Sequence, residues 1–185
     1  MENPQQSTSY SKAAASKYPE HVVIAVAKDS NGICNPITLG WAMTTSHTPP
    51  MMAISVAFTR YSYDVICEAK EFVISYPSKE MAKDALFFGT RSGRDMDKIK
   101  KFGTAVLPAE KIDCVIFRDA VANFECTLAG ELKTGDHAVF AGEIVHAWIN
   151  EEKKDRLYTL GSGYKMGSVT GELAVEYSPS LFEEE

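Results

Sequence analysis

Residues 41–63 read WAMTTSHTPPMMAISVAFTRYSY. An apolar run ends in three hydroxyl side chains, the pair Pro49-Pro50 follows, and a second apolar run leads to further polar residues. This pattern predicts two strands joined by a short rigid connection, with hydroxyls at the end of one strand and a cation with hydroxyls at the end of the other. Several short donors beside a fixed positive charge suit a phosphate group. An ordinary β-hairpin with a polar tip fits the same pattern.

The composition is that of an ordinary globular domain. The chain has 185 residues, of which 45% are hydrophobic and 24% are charged, and this length is enough for one sizeable core. The formal net charge is −6, and a surface of that sign does not suit nucleic acid or an anionic membrane as the main partner. Any anion site must therefore be local, built from a few cations and backbone donors.

The sequence predicts neither a membrane segment nor a secretory one. No apolar run reaches about 18 residues, and the N-terminus lacks the charged-then-apolar order of a signal peptide. No CxxC pair and no zinc-finger spacing occurs among the four cysteines, which are Cys34, Cys67, Cys114 and Cys126. We therefore expect reduced thiols in a cytoplasmic protein, with no metal site.

The pattern along the chain predicts mainly β structure. Residues 1–17 are polar and rich in Ala and Ser, which predicts a flexible or weakly helical arm before a single domain over residues 18–185. Strands are predicted over residues 22–28, 37–45, 51–57, 71–76, 111–117, 121–132 and 137–149. Short helices are predicted over residues 63–70, 79–88 and 95–102, the second capped by Ser78 and the third capped by Asp95 and ended by Gly103.

The order of these elements favours an antiparallel barrel. Seven or eight strands without βαβ alternation argue against a doubly wound sheet, and the helices cluster between residues 63 and 103 as an insertion between barrel strands. A compact turn at residues 133–136 joins two long strands into a ribbon. Gly142, in the middle of the second of these strands, predicts a bulge or sharp coil.

The common catalytic motifs are missing from the sequence. No strand is followed by GxGxxG, and GxxxxGK[ST], HExxH and Gly-x-Ser-x-Gly do not occur. The four histidines are scattered, without carboxylates at metal-ligand spacing. Hydrolytic and metal chemistry therefore have little support, and a cofactor held by loops and strand ends remains.

Residues 90–98, TRSGRDMDK, form a second informative stretch. It places Ser92, a glycine that makes the backbone flexible and a predicted helix start close together in sequence. Backbone N–H groups at a helix start attract phosphate. Asp95 argues against a bare anion site there and is expected to cap its own helix, which leaves Ser92 and Lys98 for a ligand. A solvated charged loop is the alternative interpretation.

Three stretches together resemble the flavin reductase-like family, the FMN-binding split β-barrel proteins of the flavoredoxin and ferric-reductase type. They are residues 35–77, which begin NPITLGWAMTTSHTPP, residues 92–98, SGRDMDK, and residues 124–147, FECTLAGELKTGDHAVFAGEIVHA. The resemblance covers roughly residues 18–164. It implies a mainly β fold, a Greek-key split β-barrel with a few short inserted helices, a homodimer, and FMN held without a covalent bond near the dimer interface.

The family pattern also implies which residues contact the flavin. The residues that match the segment against the isoalloxazine and ribityl chain are Thr44, Thr45 and Ser46. The following strand supplies backbone and hydroxyl contacts at Ser55, Val56 and Ala57. The phosphate positions are Arg60 and Ser62, and the loop that closes over the phosphate end carries Ser92 and Lys98. The wall of the pocket is formed by Asn35 and Trp41.

No residue is identified with certainty as catalytic. The resemblance places His137 and His146 near where a nicotinamide could approach, and a structural role for both histidines is the alternative. Hydride chemistry belongs to the flavin, and the protein positions it and sets its electronics. Hydride transfer from NADH or NADPH to the flavin requires no acid–base side chain, which accounts for the missing catalytic triad.

The sequence predicts an NAD(P)H-dependent flavin or ferric reductase that passes electrons to free flavin, a ferric complex or a partner oxygenase. The alternative is an FMN-containing electron carrier that exchanges electrons with a redox partner protein without oxidising NAD(P)H directly. A third interpretation is a member of the same superfamily with another task, such as an oxidase. The sequence favours FMN binding and does not separate these activities.

Overall fold

The computed structural model describes residues 4–169 and residue 171. The strands of this part of the chain are β1 (Glu20–His21), β2 (Val23–Lys28), β3 (Cys34–Leu39), β4 (Ala42–His47), β5 (Pro50–Ala57), β6 (Glu71–Tyr76), β7 (Val106–Pro108), β8 (Val115–Phe117), β9 (Ala122–Thr134), β10 (His137–Ile149), β11 (Tyr158–Gly161) and β12 (Lys165–Gly167). The α-helices are α1 (Tyr10–Ala14), α2 (Tyr61–Ala69), α3 (Ala82–Thr90) and α4 (Lys98–Phe102), with 3₁₀ turns at Ala15–Lys17 and Lys79–Met81.

One antiparallel sheet of seven strands dominates the fold, in the order β3-β2-β6-β9-β10-β5-β4. Its two edge strands, β3 and β4, are separated along the chain by only Gly40 and Trp41, so the two edges must meet and the sheet closes into a barrel. The backbone N–H of Ser55 in β5 donates to the carbonyl of Trp41 at this seam, at 2.9 Å. The mainly β barrel with short inserted helices is thereby confirmed.

Strand β2 shows how the core is built. Its residues alternate between two apolar clusters, because successive side chains of a strand point to opposite faces of the sheet. Val23 and Ala25 join the cluster inside the barrel, and Ile24 and Val26 join a second cluster under α3 and β8. A strand buried on both faces reads as a continuous apolar run, which is the pattern from Val22 onward.

The β9–β10 ribbon follows its predicted course, and β10 has the predicted bounds. The pairing register shifts between Ala141 and Gly142, so the predicted bulge is confirmed. A Cβ atom on Gly142 would lie 2.7 Å from the Phe72 ring and 2.8 Å from Cβ of Cys126. The glycine therefore lets the ribbon coil tightly over the buried core.

Three predicted boundaries are wrong. The single strand over residues 37–45 is two strands, because the chain turns at Gly40, where a Cβ atom would lie 2.8 Å from the Glu20 carboxyl carbon. The helix predicted from Asp95 begins at Lys98, since Asp97 is the cap and accepts from the Lys100 N–H at 3.0 Å. Ser78 precedes a 3₁₀ turn and makes no capping hydrogen bond with its side chain.

Helices α2, α3 and α4 surround one end of β3, next to the segment that joins β5 to α2. Gly89 lets α3 approach β3, because a Cβ atom there would lie 3.3 Å from Cβ of Thr38. The arm is partly helical from residue 10 onward, and Lys17 pairs with Glu20 at 2.8 Å. Within the described residues, no helix combines the length and apolar character that crossing a membrane requires.

Candidate active site

Three adjoining cavities form one groove along the barrel seam. The polar cavity, of about 220 Å³, and the central cavity, of about 400 Å³, share Arg60, Thr59 and Gly89. The apolar cavity, of about 200 Å³, shares Trp41 and Ser55 with the central one. Even without its two neighbours, the central cavity has the size usual for a small-molecule site, about 300–1,000 Å³.

Four separate segments of the chain meet at the polar cavity. Its lining includes five of the predicted site residues, which are Asn35, Arg60, Ser62, Ser92 and Lys98. They come from β3, the start of α2, the loop after α3 and the start of α4. No two of these segments pair in the sheet, so the inserted helices are what brings them together.

Asn35 and Ser62 form the buried floor of the polar cavity. Nδ2 of Asn35 donates to Oγ of Ser62 at 2.8 Å, and both residues are buried. Oδ1 of Asn35 is buried and accepts no hydrogen bond among the described contacts. A Cβ atom on Gly93 would lie 2.1 Å from this oxygen. Only glycine at position 93 therefore lets the loop after α3 close on the floor.

Lys98 is directed inward rather than toward the open cavity. Its side chain is buried, and Nζ donates to the carbonyl oxygens of Pro36, Phe88 and Arg91, the last two at 3.4 Å. Burial lowers the pKa of Lys98 to about 8, since a charged group is costly in an apolar surrounding. The ammonium therefore ties β3, α3 and the loop after α3 together.

Arg60 is the cation that remains available. Its side chain is exposed, and within the described part of the chain its guanidinium makes no hydrogen bond or ion pair. It stands at the N-cap position of α2 without capping the helix. The first N–H groups of a helix have no acceptor inside the helix, and they favour anions. Arg60 and the start of α2 therefore present donors and positive charge to the same cavity.

Two further arginines line the polar cavity, and the sequence analysis did not identify them. Arg94 donates to Asp64 at 3.0 Å and to the Thr59 carbonyl at 3.3 Å, and its guanidinium lies 5.2 Å from the centre of the Tyr61 ring. Arg91 is exposed, and within residues 4–169 its guanidinium donates only to the carbonyl of Thr90, at 3.3 Å. Arg94 belongs to the motif SGRDMDK, so the sequence could have indicated it as a site residue. Nothing in the sequence distinguished Arg91 from an ordinary cation of a loop.

The central cavity is lined by Trp41, Ser55, Ala57 and His137, all predicted site residues. His137 lies opposite Ala57 across the β10–β5 pair, and its ring centre lies 4.8 Å from that of Trp41. Nδ1 of His137 contacts the Asp136 carboxylate at 2.6 Å, and this contact holds the pKa of Asp136 below its ordinary value. The cavity therefore has an aromatic wall and one imidazole group.

The apolar cavity continues the groove between β4, β5 and β10. Met43, Ala53 and Val139 line it together with Trp41 and Ser55. Val56, the predicted residue between Ser55 and Ala57, is fully buried in the barrel. Because strand residues alternate in direction, only the backbone of Val56 can face the groove.

Besides Val56, four predicted residues do not line the groove. Thr44, Thr45 and Ser46 lie on the edge strand β4 beyond the apolar cavity, so their contact with a ligand stays a prediction. His146 lies nine residues along β10 from His137. Its Nε2 atom is 3.4 Å from the Glu110 carboxylate, and its ring packs on Trp148 at 4.8 Å. The described chain thus gives His146 no contact with the groove.

A separate cavity of about 470 Å³ lies beside Arg118, Trp148 and Ile149. It contains none of the predicted site residues and lacks the convergence of hydroxyls and unpaired cations found in the polar cavity. No group of three or more His, Cys, Asp or Glu side chains within residues 4–169 is arranged to hold a metal ion. The groove along the seam is therefore the candidate active site.

Comparison with known proteins identifies related chains. The family model described as "Flavin reductase like domain" matches residues 15–168. A protein from Archaeoglobus fulgidus, described only as uncharacterized, is 30% identical over 149 residues, which are 80% of this chain and 84% of that one. The match therefore extends over nearly all of the described residues.

Solved structures share the fold. Flavoredoxin from Methanosarcina acetivorans is similar with a TM-score of 0.82 and 22% identity, over 97% of this chain and 98% of that chain. An NADH:FAD oxidoreductase from Streptomyces globisporus is similar with a TM-score of 0.77 and 18% identity, over 91% of this chain and all of that chain. At these identities the likeness establishes the fold alone, and the two neighbours carry different activities.

Proposed function

The chain belongs to the flavin reductase-like family, and on that premise we propose that it binds FMN in the groove and acts as an NAD(P)H-dependent flavin or ferric reductase. One observation carries the proposal. The exposed Arg60, unpaired among the described residues, and the start of α2, which has no side-chain cap, face the same polar cavity as Ser62 and Ser92. Such a set of donors suits a phosphate monoester at the end of a flavin chain.

The residues present fit an FMN phosphate. That group carries roughly two negative charges, as protein phosphates do. Arg60 supplies one fixed charge at the cavity mouth, and Arg91 can supply a second, because in the described part of the chain its guanidinium is bonded only to a neighbouring carbonyl. The hydroxyl of Ser92 and the N–H groups at the start of α2 offer further donors. Lys98, the predicted second cation, is proposed instead to hold the cavity walls in place.

The central and apolar cavities fit the flavin ring. Ser55 and Ala57 present backbone and small side chains on one wall, and Trp41 presents an aromatic surface beside His137. When bound, FMN supplies the hydride and electron chemistry. This chain's residues would bind and orient it, and Trp41 and Met43 would exclude water from one side of the groove.

We also propose that the chain works as a homodimer, with residues 18–185 as one FMN-binding domain. Trp41, Met43 and Leu132 are exposed, by 48%, 58% and 64% respectively. Leu132 pairs with Val139 across the β9–β10 ribbon, and Val139 lines the apolar cavity. Adjacent exposed apolar side chains of this kind are typical of a protein–protein interface. Sedimentation as a monomer at micromolar concentration would contradict the dimer.

The experiment begins with the colour of the purified protein. A yellow protein, or uptake of added FMN seen in the flavin absorbance, is expected. Anaerobic mixing with NADH or NADPH should then bleach the flavin absorbance rapidly if the protein is a reductase. Protein that takes up no FMN refutes flavin binding itself.

The second candidate function is an FMN-containing electron carrier, favoured by the flavoredoxin fold of the Methanosarcina acetivorans neighbour. In this case the flavin would stay oxidised after mixing with NADH or NADPH and would be reduced only by a donor protein. A redox partner protein or an oxygenase would then exchange electrons with it. The bleaching experiment therefore separates the two functions, since each predicts the opposite result for the same mixture.

A further inference from the structure

Two cysteine side chains outside the groove pack in the same apolar cluster. Cys34 begins β3, is half-buried, and packs on the second apolar cluster. Cys114 lies just before β8, is 6% exposed, and belongs to the same cluster. Eighty residues of sequence separate them, so the barrel fold brings them together.

The backbone fixes this placement independently of the sulfur atoms. Cys34 lies directly opposite Lys28 in the β2–β3 pair. The Lys28 ammonium forms an ion pair with Asp113, the residue before Cys114. Sγ of Cys114 donates to the carbonyl of Val26, at 3.5 Å, two residues before Lys28. The ion pair and the hydrogen bond therefore hold the segment before β8 against β2, beside Cys34.

The two thiols have different properties. Contact with the Cys114 thiol lowers the pKa of Cys34 below its ordinary value, and the Lys28 ammonium lowers it further. The same contact, together with burial, raises the pKa of Cys114. A thiolate is the nucleophile in exchange with disulfides, and a neighbouring cation favours it. Cys34 is thus the thiol suited to attack a disulfide. Cys114 can ionise and follow once the neighbouring Cys34 thiolate, which raises its pKa, has been consumed.

We propose that Cys34 and Cys114 form a thiol–disulfide exchange site that small disulfides oxidise reversibly. The Cys34 thiolate attacks one sulfur of the small disulfide, forms a mixed disulfide, and releases one thiolate, which takes up a proton. Cys114 then loses its proton and attacks Sγ of Cys34, which closes the protein disulfide and releases the second thiol. The protein loses two electrons and two protons, which together are two hydrogen atoms, and the small disulfide gains them and becomes two thiols.

Cys67 is the matched control within the same chain. It is half-buried like Cys34 and contacts the Tyr63 hydroxyl, and no sulfur partner for it is present among the contacts of residues 4–169. Cys126 is fully buried, and burial raises its pKa to about 12. Exchange at Cys34 followed by closure with Cys114 can therefore be distinguished from general thiol reactivity.

The experiment treats the reduced, purified protein with glutathione disulfide under anaerobic conditions and quenches samples with an alkylating reagent. Before alkylation the intact mass should fall by two hydrogen atoms, and after alkylation in denaturant the oxidised protein should carry two fewer alkyl groups than the reduced one. Peptide mapping should find a Cys34–Cys114 disulfide. Cys34 should react at least about tenfold faster than Cys67, because thiolate formation governs the attack. A reductant should restore both thiols. A stable glutathione adduct without the crosslink, or equal rates at Cys34 and Cys67, would overturn the proposal.

Serine variants test the order of the two steps. Cys114→Ser should stop at a glutathione adduct on Cys34, and Cys34→Ser should lose the crosslink and the fast reaction. Cys67→Ser should behave as the wild type. Circular dichroism checks that each variant folds. If Cys114→Ser does not fold, the experiment on the wild-type protein still decides the proposal. A crosslink that persists in either of the first two variants, by pairing with another cysteine, contradicts the assignment.

Discussion

Residues of the polar cavity and of strand β4 were both predicted to contact the flavin, yet only the first set lines a cavity of the described chain. The cavity collects Asn35, Arg60, Ser62 and Ser92 from segments far apart in sequence. The three hydroxyls at residues 44–46 are contiguous in sequence, and they lie on an exposed edge strand outside the described cavities. The two regions thus oppose a predicted site built from several segment ends to one predicted from a contiguous run of polar residues.

The physical reason lies in the geometry of strands and helix starts. Neighbouring residues of a regular strand point to opposite faces, so Thr45 would point away from Thr44 and Ser46, and the pairing of β4 with β5 also shifts register between Thr44 and Ser46. A run of three hydroxyls on a strand therefore does not by itself direct all three toward one ligand. A helix start and a glycine loop instead direct N–H groups and side chains toward the same space. The following predictions test whether the polar cavity carries the binding energy and β4 does not.

The largest effect is expected at Lys98, which holds the polar cavity together. Replacement by Met should lower the free energy of unfolding by about 2–4 kcal/mol, because the buried carbonyls of Pro36, Phe88 and Arg91 lose their donor. Urea unfolding measures this loss. Lys100→Met, at an exposed lysine of the same short helix, is the control and should change the stability little. Equal stability of both variants would mean that the three carbonyls do not depend on Lys98.

The pH dependence of the free energy of unfolding should show the lowered pKa of the same lysine. The pKa of Lys98 in the folded protein, about 8, lies below its ordinary value of 10.5, so between these values the unfolded chain binds more protons than the folded one. Stability therefore rises with pH across that window. Relative to the Lys98→Met variant, the wild type should gain up to about 3 kcal/mol between neutral pH and about 10. A difference independent of pH would show that the ammonium is not destabilised by burial.

Arg60 should dominate the binding of FMN without affecting the fold. Arg60→Ala removes a charge-assisted contact worth about 1.5–3 kcal/mol, which raises the dissociation constant for FMN by about 10- to 150-fold. Fluorescence titration with FMN measures the change. Arg118→Ala is the matched control, because Arg118 is also exposed and pairs with Asp119 at 3.1 Å, away from the groove. An unchanged dissociation constant would remove the phosphate role from Arg60.

Five residues that line the polar cavity were predicted as site residues, because the signals that select them are local. Arg60, Ser62 and Ser92 stand beside helix starts and glycines, and such local signals can be read without a structure. The direction of Lys98 could not be predicted. Its four-carbon side chain can reach either solvent or the carbonyls of β3, and only the packing of α3 and α4 decides between them.

The fold was predictable for a similar reason. The apolar run of β2, the turn at residues 133–136 and Gly142 are local signals of buried strand, hairpin and bulge. The division of residues 34–47 into two strands was not predictable, because it depends on Gly40 fitting against Glu20, twenty residues away. The meeting of Cys34 with Cys114 and the separation of His146 from the groove likewise depend on long-range register.

The two histidines of β10 test the central cavity. His137→Ala should lower kcat/KM for NADH about five- to tenfold, because it removes the aromatic contact with Trp41, worth about 1 kcal/mol, from the wall of the groove. His146→Ala should change kcat/KM less than about twofold, because this side chain contacts Glu110 and Trp148 instead. Anaerobic stopped-flow reduction compares the two variants. A larger loss at His146 would place the nicotinamide elsewhere.

The smallest effect is expected on strand β4, and a large effect there would contradict the difference between β4 and the polar cavity. Thr44→Val and Thr45→Val keep the shape and β propensity of the side chains and remove only the hydroxyls. If these exposed hydroxyls do not contact the flavin, each variant should change FMN binding by less than about 0.5 kcal/mol. The same fluorescence titration measures this, beside Arg60→Ala. A loss comparable to that of Arg60→Ala would show that β4 contacts the flavin in the assembled protein, which requires a binding site larger than the groove of the single chain.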